Sequence, residues 1–254
     1  MTALGVLDWG IGGLDVVAKL RAAGMQRPIV YLSDAGALPY GKQSDAALAG
    51  RAKALVKRFA DHGCDEVVLA CNAASTVLPA LTGLPVRRIL GVIQPGIEAT
   101  VRAGVRDVVV LGGRRTIDSG HYSAALRPLN INVTEVVAQP LSALIERGIV
   151  SGPELDSTLE QIVSPVRNAT AIVSACTHYL AARPALHTAL ARLRTVIDPA
   201  QALVDLYFGH AAPGPFPDRY WTTGDPARSR RAAVAVFGFD APFEAAGVQF
   251  PAPC

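Results

Sequence analysis

The chain is short of charge and of aromatic rings: 18% of its 254 residues are Asp, Glu, Lys or Arg, and 6% are Phe, Trp or Tyr. Its net charge of +3 is too small and too dispersed for a nucleic-acid binder, which gathers basic residues on one face. Arg51, Lys53, Lys57 and Arg58 recur at helical spacing, and Arg228, Arg230 and Arg231 cluster late; both sets read as solvated helix faces. No stretch approaches the roughly 20 uncharged apolar residues of a spanning helix. Asp8 and Asp15 interrupt any signal-peptide reading of the opening residues. A soluble, cytoplasmic protein that engages neither membrane nor nucleic acid is the expectation. Cysteine is sparse too, and four residues at wide, irregular spacing suit neither a disulfide framework nor a CxxC metal site. Gly10-Ile11-Gly12-Gly13 lacks the G-x-G-x-x-G spacing, and no Walker lysine follows it. No metal-ligand cluster and no lysine in a pyridoxal phosphate context is found, so no cofactor and no metal is expected.

What is present is apolar: 50% of the residues are hydrophobic, enough for a sizeable core. The 23 glycines and 18 prolines punctuate the whole chain, which excludes a low-complexity segment. Short apolar runs at 4–8, 28–32, 66–70, 88–92, 107–111, 133–138, 171–175 and 194–197 alternate with helical periodicity at 13–23, 44–62, 74–82, 95–104, 116–127, 140–147, 153–167 and 179–192. That alternation predicts βαβ units, hence an α/β fold with mainly parallel sheets. Asp225-Pro226 reads as a helix cap followed by proline at the first helical position, opening a helix to about Phe237.

Two segments resemble each other. Val67-Val68-Leu69-Ala70-Cys71-Asn72 and Ala171-Ile172-Val173-Ser174-Ala175-Cys176-Thr177 each run from an apolar strand to a cysteine and a polar residue. They suggest two related α/β halves, each presenting a cysteine at the carboxyl end of a strand, where ligands of open α/β sheets gather. A sulfur at a helix start lies near backbone N–H groups, which favours the thiolate and predicts a lowered thiol pKa. Buried structural cysteines are the alternative. His178 lies two residues beyond Cys176 and could orient or deprotonate it, or cap a helix. Asp8 ends the first strand, pointing either into the same cleft or back onto its own turn. Cys64 and Cys254 look incidental, with Cys64 placed at the end of a helix.

With these residues in hand, the sequence resembles the aspartate/glutamate racemases, and glutamate racemase most closely. The resemblance rests on Leu7-Asp8-Trp9-Gly10-Ile11-Gly12-Gly13-Leu14, Ser33-Asp34 with Leu38-Pro39-Tyr40-Gly41, and Ala70-Cys71-Asn72-Ala73-Ala74-Ser75. It continues through Gly91-Val92-Ile93-Gln94-Pro95-Gly96, Thr116-Ile117 with Ser119-Gly120 and Tyr122, Cys176-Thr177-His178-Tyr179, and Thr222-Thr223-Gly224-Asp225. It implies two similar α/β domains, 1–93 plus 204–254 and 94–203, with an amino-acid substrate in the cleft between them, often in a homodimer. It further implies cofactor-independent Cα proton exchange between Cys71 and Cys176 on opposite faces, assisted by Asp8 and His178. Pro39, Tyr40, Gly41, Asn72 and Thr177 match substrate-binding positions, as do Thr116 and Glu146 less closely. The chain departs from the pattern at Trp9, where serine is usual, and at Ala73, where threonine is usual. Gln94, Gly113 and Gln139 also depart, standing for glutamate, threonine and cysteine. Glutamate is the leading substrate; aspartate or a specialised amino acid, or an inactive relative binding a ligand or partner, are the alternatives. D-Glutamate as product implies a role in bacterial peptidoglycan and the cell wall, while a specialised biosynthetic role suits the altered pocket equally well.

Overall fold

Apolar runs bounded by turns form ten strands in the computed structural model, which describes residues 2–208 and 218–247. In chain order they are β1 (Ala3–Asp8), β2 (Ile29–Ser33), β3 (Cys64–Leu69), β4 (Arg88–Gly91), β5 (Asp107–Gly112), β6 (Asn132–Val137), β7 (Ala171–Ala175), β8 (Thr195–Ile197), β9 (Arg219–Thr222) and β10 (Phe243–Ala245). All pair in parallel, in one sheet of order β10-β9-β2-β1-β3-β4 and a second of order β6-β5-β7-β8. The order β2-β1-β3-β4 therefore recurs as β6-β5-β7-β8. The two similar segments fall on the equivalent strands β3 and β7.

Parallel sheets need both faces covered, and the strands alternate accordingly. Leu4 and Val6 of β1 enter one core cluster, while Ala3 and Leu7 enter the cluster on the opposite face. In β5, Val109 and Leu111 serve one face and Val108 and Val110 the other. Among the described residues no helix is long and apolar enough to cross a membrane.

The departures from expectation have local causes. The span 74–82 is only a four-residue helix, Asn72–Ser75, and a 3-10 turn, Leu78–Ala80, that holds Pro79. Ser75 accepts the Val92 N–H and donates back to Leu69 and Cys71 carbonyls, which locks the short helix onto the sheet edge. The span 116–127 is two helices, Arg114–Asp118 and His121–Leu126, separated at Gly120, whose φ of 64° ends the first. The span 179–192 is a 3-10 turn, Tyr179–Ala182, followed by Arg183–Ala189. Helix Pro226–Phe237 is capped by Asp225 as its Asp-Pro signal requires. The same signal at Asp198-Pro199 opens helix Pro199–Tyr207, which periodicity overlooked along with β9 and β10. Cys64 begins β3 instead of ending a helix; burial pushes its thiol up to about 12. Cys254 lies outside the described residues. Arg51 is not a solvated residue, because its guanidinium pairs with buried Asp34.

Candidate active site

The carboxyl ends of the two sheets face each other, and the loops leaving them interlock. After β1 the chain turns at Asp8, whose Oδ1 accepts the Trp9 N–H at 2.8 Å and whose Oδ2 accepts that of Gly13 at 2.5 Å. The local-turn reading of Asp8 therefore holds, but the carboxylate also reaches the other half. Its Oδ2 accepts from Thr177 Oγ1 at 3.1 Å. From the second half, Glu146 at the end of helix Gln139–Glu146 accepts the Ile11 N–H at 2.7 Å through Oε1. A Cβ on Gly10 would stand 1.8 Å from that oxygen, and one on Gly12 would stand 2.4 Å from Thr177 Oγ1. The Gly-rich segment is thus no phosphate cradle; its glycines admit side chains of the opposite half against the backbone. The Tyr31 hydroxyl donates to Gly10 O and holds the loop from below.

Cys71 follows β3, two residues beyond its end, and Cys176 directly follows β7. The lowered pKa expected for a thiol at a helix start is corrected at Cys71. Burial, then the charge of Asp8, push this thiol well above its ordinary value, and the Ala74 N–H offsets them only in part. A four-residue helix lacks the summed dipole of a full one, so desolvation prevails. Burial likewise raises the Asp8 carboxyl, against the lowering influence of His178 and the Trp9 N–H.

Cys176 has a different companion. Its Sγ lies 3.6 Å from His178 Nδ1, while His178 Nε2 is hydrogen-bonded to Glu146 Oε1. His178 caps no helix through its side chain. Burial lowers the imidazole pKa, but the bonds to Cys176 and Glu146 outweigh it and hold the ring well above its ordinary value. Burial raises the Glu146 carboxyl, yet His178 and the Ile11 N–H bring it below the usual range. The raised imidazole and the lowered carboxyl both favour a charged pair, whose second ring nitrogen faces a sulfur.

Asp8, Cys71, Cys176, Thr177, His178 and Glu146 thus converge. Asn72 joins them, its Oδ1 taken by the Tyr122 hydroxyl of the opposite half at 2.8 Å. The remaining residues singled out in the sequence are distributed around this centre. Pro39 opens a short turn, Tyr40–Lys42, and the buried Tyr40 hydroxyl donates to Asp34 at 2.8 Å. Asp34 also takes Arg51 and, at 2.8 Å, Thr223 Oγ1, so Ser33-Asp34 and Thr222-Thr223 form one network. Burial, Asp34 and Cys71 push the Tyr40 phenol far up, which places it within electrostatic reach of the thiol. Gly41 faces Gln139, whose Oε1 would lie 3.4 Å from a Cβ there. The same oxygen accepts the Arg114 N–H and occupies the space beside Gly113, so two departures from the family pattern meet at one contact. Thr116 is buried in helix Arg114–Asp118. Trp9 directs its Nε1–H to Ala37 O at 3.2 Å and, with Ala37, Cys71 and Ala73, packs on the core beneath the first sheet's edge. Gln94 bonds Glu98 at the surface.

Arg115 had no signal in the sequence. Its guanidinium, from the second half, reaches Thr76 Oγ1 at 2.8 Å, Gln43 O at 2.9 Å and Asp45 Oδ1 at 2.6 Å in the first. Among the described residues no group of three or more His, Cys, Asp or Glu could hold a metal ion.

Comparison with known proteins bears on the family and the fold. The chain matches the family described as Asp/Glu/Hydantoin racemase over residues 12–207. It is 30% identical to a glutamate racemase of Cupriavidus pinatubonensis, an alignment covering 98% of this chain and 96% of the relative. The fold is similar to that of a glutamate racemase isoform from Bacillus anthracis, with a TM-score of 0.86 at 23% identity over 98% of each chain. It is also similar to a Francisella tularensis glutamate racemase solved with D-glutamate, with a TM-score of 0.80 at 23% identity over 95% of each.

Proposed function

Since the chain belongs to the aspartate/glutamate/hydantoin racemase family, we propose that it is an isomerase interconverting L- and D-glutamate by cofactor-independent exchange of the Cα proton between Cys71 and Cys176. The observation that supports this most is the opposition of two thiols at equivalent strand ends, one beside Asp8 and the other 3.6 Å from His178. Residues 1–93 plus 204–254 and 94–203 are the two lobes that hold the substrate between them.

The chemistry requires this layout. An amino-acid Cα proton is weakly acidic, so a base must touch it and the developing carbanion must be stabilised electrostatically. A single base on one face would return the proton with retention; inversion needs a second group opposite. Cys71, with its thiol pKa raised, is the donor in the direction in which Cys176 is the base, and the two exchange roles in the reverse direction. At the opposite face, His178 holds its proton beside Cys176 and stabilises the thiolate that takes the Cα proton. Asn72, Thr177 and the Pro39-Tyr40-Gly41 turn hold the substrate's carboxylates and amino group, with Thr116 behind them. Glu146 keeps His178 charged and oriented. As a glutamate racemase the protein would supply D-glutamate for peptidoglycan.

A second reading keeps the mechanism and changes the substrate to aspartate or a specialised amino acid. Trp9 and Ala73, both at the apolar edge beside Cys71, favour it, because each stands where the family pattern has a hydroxyl. Incubation with single L-amino acids in deuterium oxide, following Cα–H loss and chirality, decides between them. Deuterium incorporation with inversion of glutamate is the expected result. Cys71→Ala and Cys176→Ala should each lower racemisation by on the order of a thousandfold or more. Exchange confined to another amino acid would move the substrate, and racemisation surviving in either variant would sink the two-thiol mechanism.

A further inference from the structure

Next to Cys176 the two halves leave a polar cavity of about 10 Å³, lined by Asp15, Asn72, Ser174, Cys176, Thr177 and Asp198 among others. That volume is at the threshold for one water molecule, and the lining offers more than the two to four polar partners such a water takes. The cavity leads outward. Asp15, in helix Leu14–Ala22, pairs with Lys19 one turn on, and Lys19 Nζ lies 3.2 Å from Asp198 Oδ2 at the end of β8. The side chains of Asp15, Lys19 and Asp198 are 23%, 18% and 18% exposed, whereas His178 and Thr177 are buried. The cluster therefore touches the site on one side and solvent on the other.

A two-thiol racemase that turns over repeatedly in one direction must return each sulfur to its starting protonation before the next substrate. Resting on the two-cysteine reading above, we propose that Asp15, through a water in this cavity, is the proton relay that re-equilibrates Cys176 with solvent. When Cys176 has given its proton to the Cα carbanion, the cavity water donates one proton to the thiolate. The Asp15 carboxyl donates one to the water and is refilled from bulk solvent. In the opposite direction every transfer reverses, and the proton taken from Cα leaves by the same route. No other bond is made or broken. Burial raises the Asp15 carboxyl, against the lowering influence of Lys19 on its own helix, while Asp198 across the seam raises it further. A carboxyl so placed takes up a proton more readily than an exposed one.

The relay acts between turnovers and not on the substrate, so its signature is a split between kinetic constants. Initial rates over a wide range of glutamate, or of whichever amino acid the wild type exchanges, are measured in both directions for the wild type, Asp15→Asn and Asp15→Glu. Asp15→Asn should keep kcat/KM within about twofold and lower kcat at saturating substrate about tenfold, with Asp15→Glu restoring it. Asp15→Ser serves if the asparagine variant does not fold. Wild-type kcat in both directions for the asparagine variant overturns the relay, and so does an equal fall in kcat and kcat/KM that glutamate does not rescue. A wild type that exchanges no amino acid overturns the racemase reading and the relay together, which separates that failure from the relay's own.

Discussion

The two halves share one strand order and place a cysteine after the same strand, yet they surround the two sulfurs with opposite chemistry. Cys71 is half-buried beside Asp8, and both desolvation and that carboxylate push its thiol up. Cys176 sits against an imidazole whose pKa is raised by its bonds to the sulfur and to Glu146. The duplicated β-α scaffold explains where the sulfurs are, because a strand end is a backbone property. What each sulfur has beside it comes from side chains that the duplication does not share: Asp8, the last residue of β1, has its topological counterpart in Gly112, the last residue of β5, which carries no side chain. A symmetric frame thus surrounds its two thiols with different neighbours, so that the proposed proton exchange would meet a different environment on each face.

The sharpest way to break the comparison is to remove its charged half. His178→Asn is expected to lower kcat/KM by on the order of 100- to 1000-fold and to abolish the alkaline limb of the pH profile, because it is the raised imidazolium that loses its proton there. Asp8→Asn should instead alter the acid limb, where the raised carboxyl titrates. Identical profiles for the two variants would refute the asymmetry. Next in size is the seam between the halves. Gly10→Ala would drive a methyl into Glu146 Oε1, and thermal or denaturant unfolding should show a loss of about 3 kcal/mol. A wild-type midpoint would mean that the loop does not bear on Glu146.

Glu146→Gln tests the ion pair by its pH dependence. The carboxyl is held below its ordinary 4.5, so its contribution is full above that pH and is lost as pH falls through the lowered value. The imidazole is held above its ordinary 6.5, so its contribution is full below that pH and is lost as pH rises through the raised value. Stability should therefore peak between the two, and the glutamine variant should flatten the peak by about 2 kcal/mol. Equal melting shifts at every pH would argue against a charged pair. The smallest effect belongs to Tyr122→Phe, which removes the bond to Asn72 across the cleft and should cost about 1 kcal/mol. That variant should raise KM more than it lowers kcat if Asn72 binds substrate, and equal changes in both would count against that role.

Much of this site was legible without coordinates. Alternating apolar runs and helices announce parallel sheets, since a strand buried on both faces has no polar side to show. The paired strand–cysteine segments announced the two sulfurs, and the Asp-Pro cap announced the helix after Asp225. That cap pattern would also have revealed the helix after Asp198. β9 and β10 escaped because strands of four and three residues carry little periodicity, and Arg115 escaped because its partners at 43, 45 and 76 are distant in the chain. Asp34 and Tyr40 were visible in one motif, Thr223 in another and Arg51 in a basic run, and only the fold made them one network.

The sequence by itself determined the class of fold, the positions of the two thiols and the companions Asp8 and His178, because hydrophobic period and residue order are local properties of the chain. Tertiary structure alone decided that the glycines after Asp8 admit Glu146 and Thr177, that Trp9 turns to Ala37, and that burial lifts the Cys71 thiol instead of the helix start lowering it. Those outcomes depend on which groups from distant segments exclude water around a given atom, and desolvation is a property of the packed molecule.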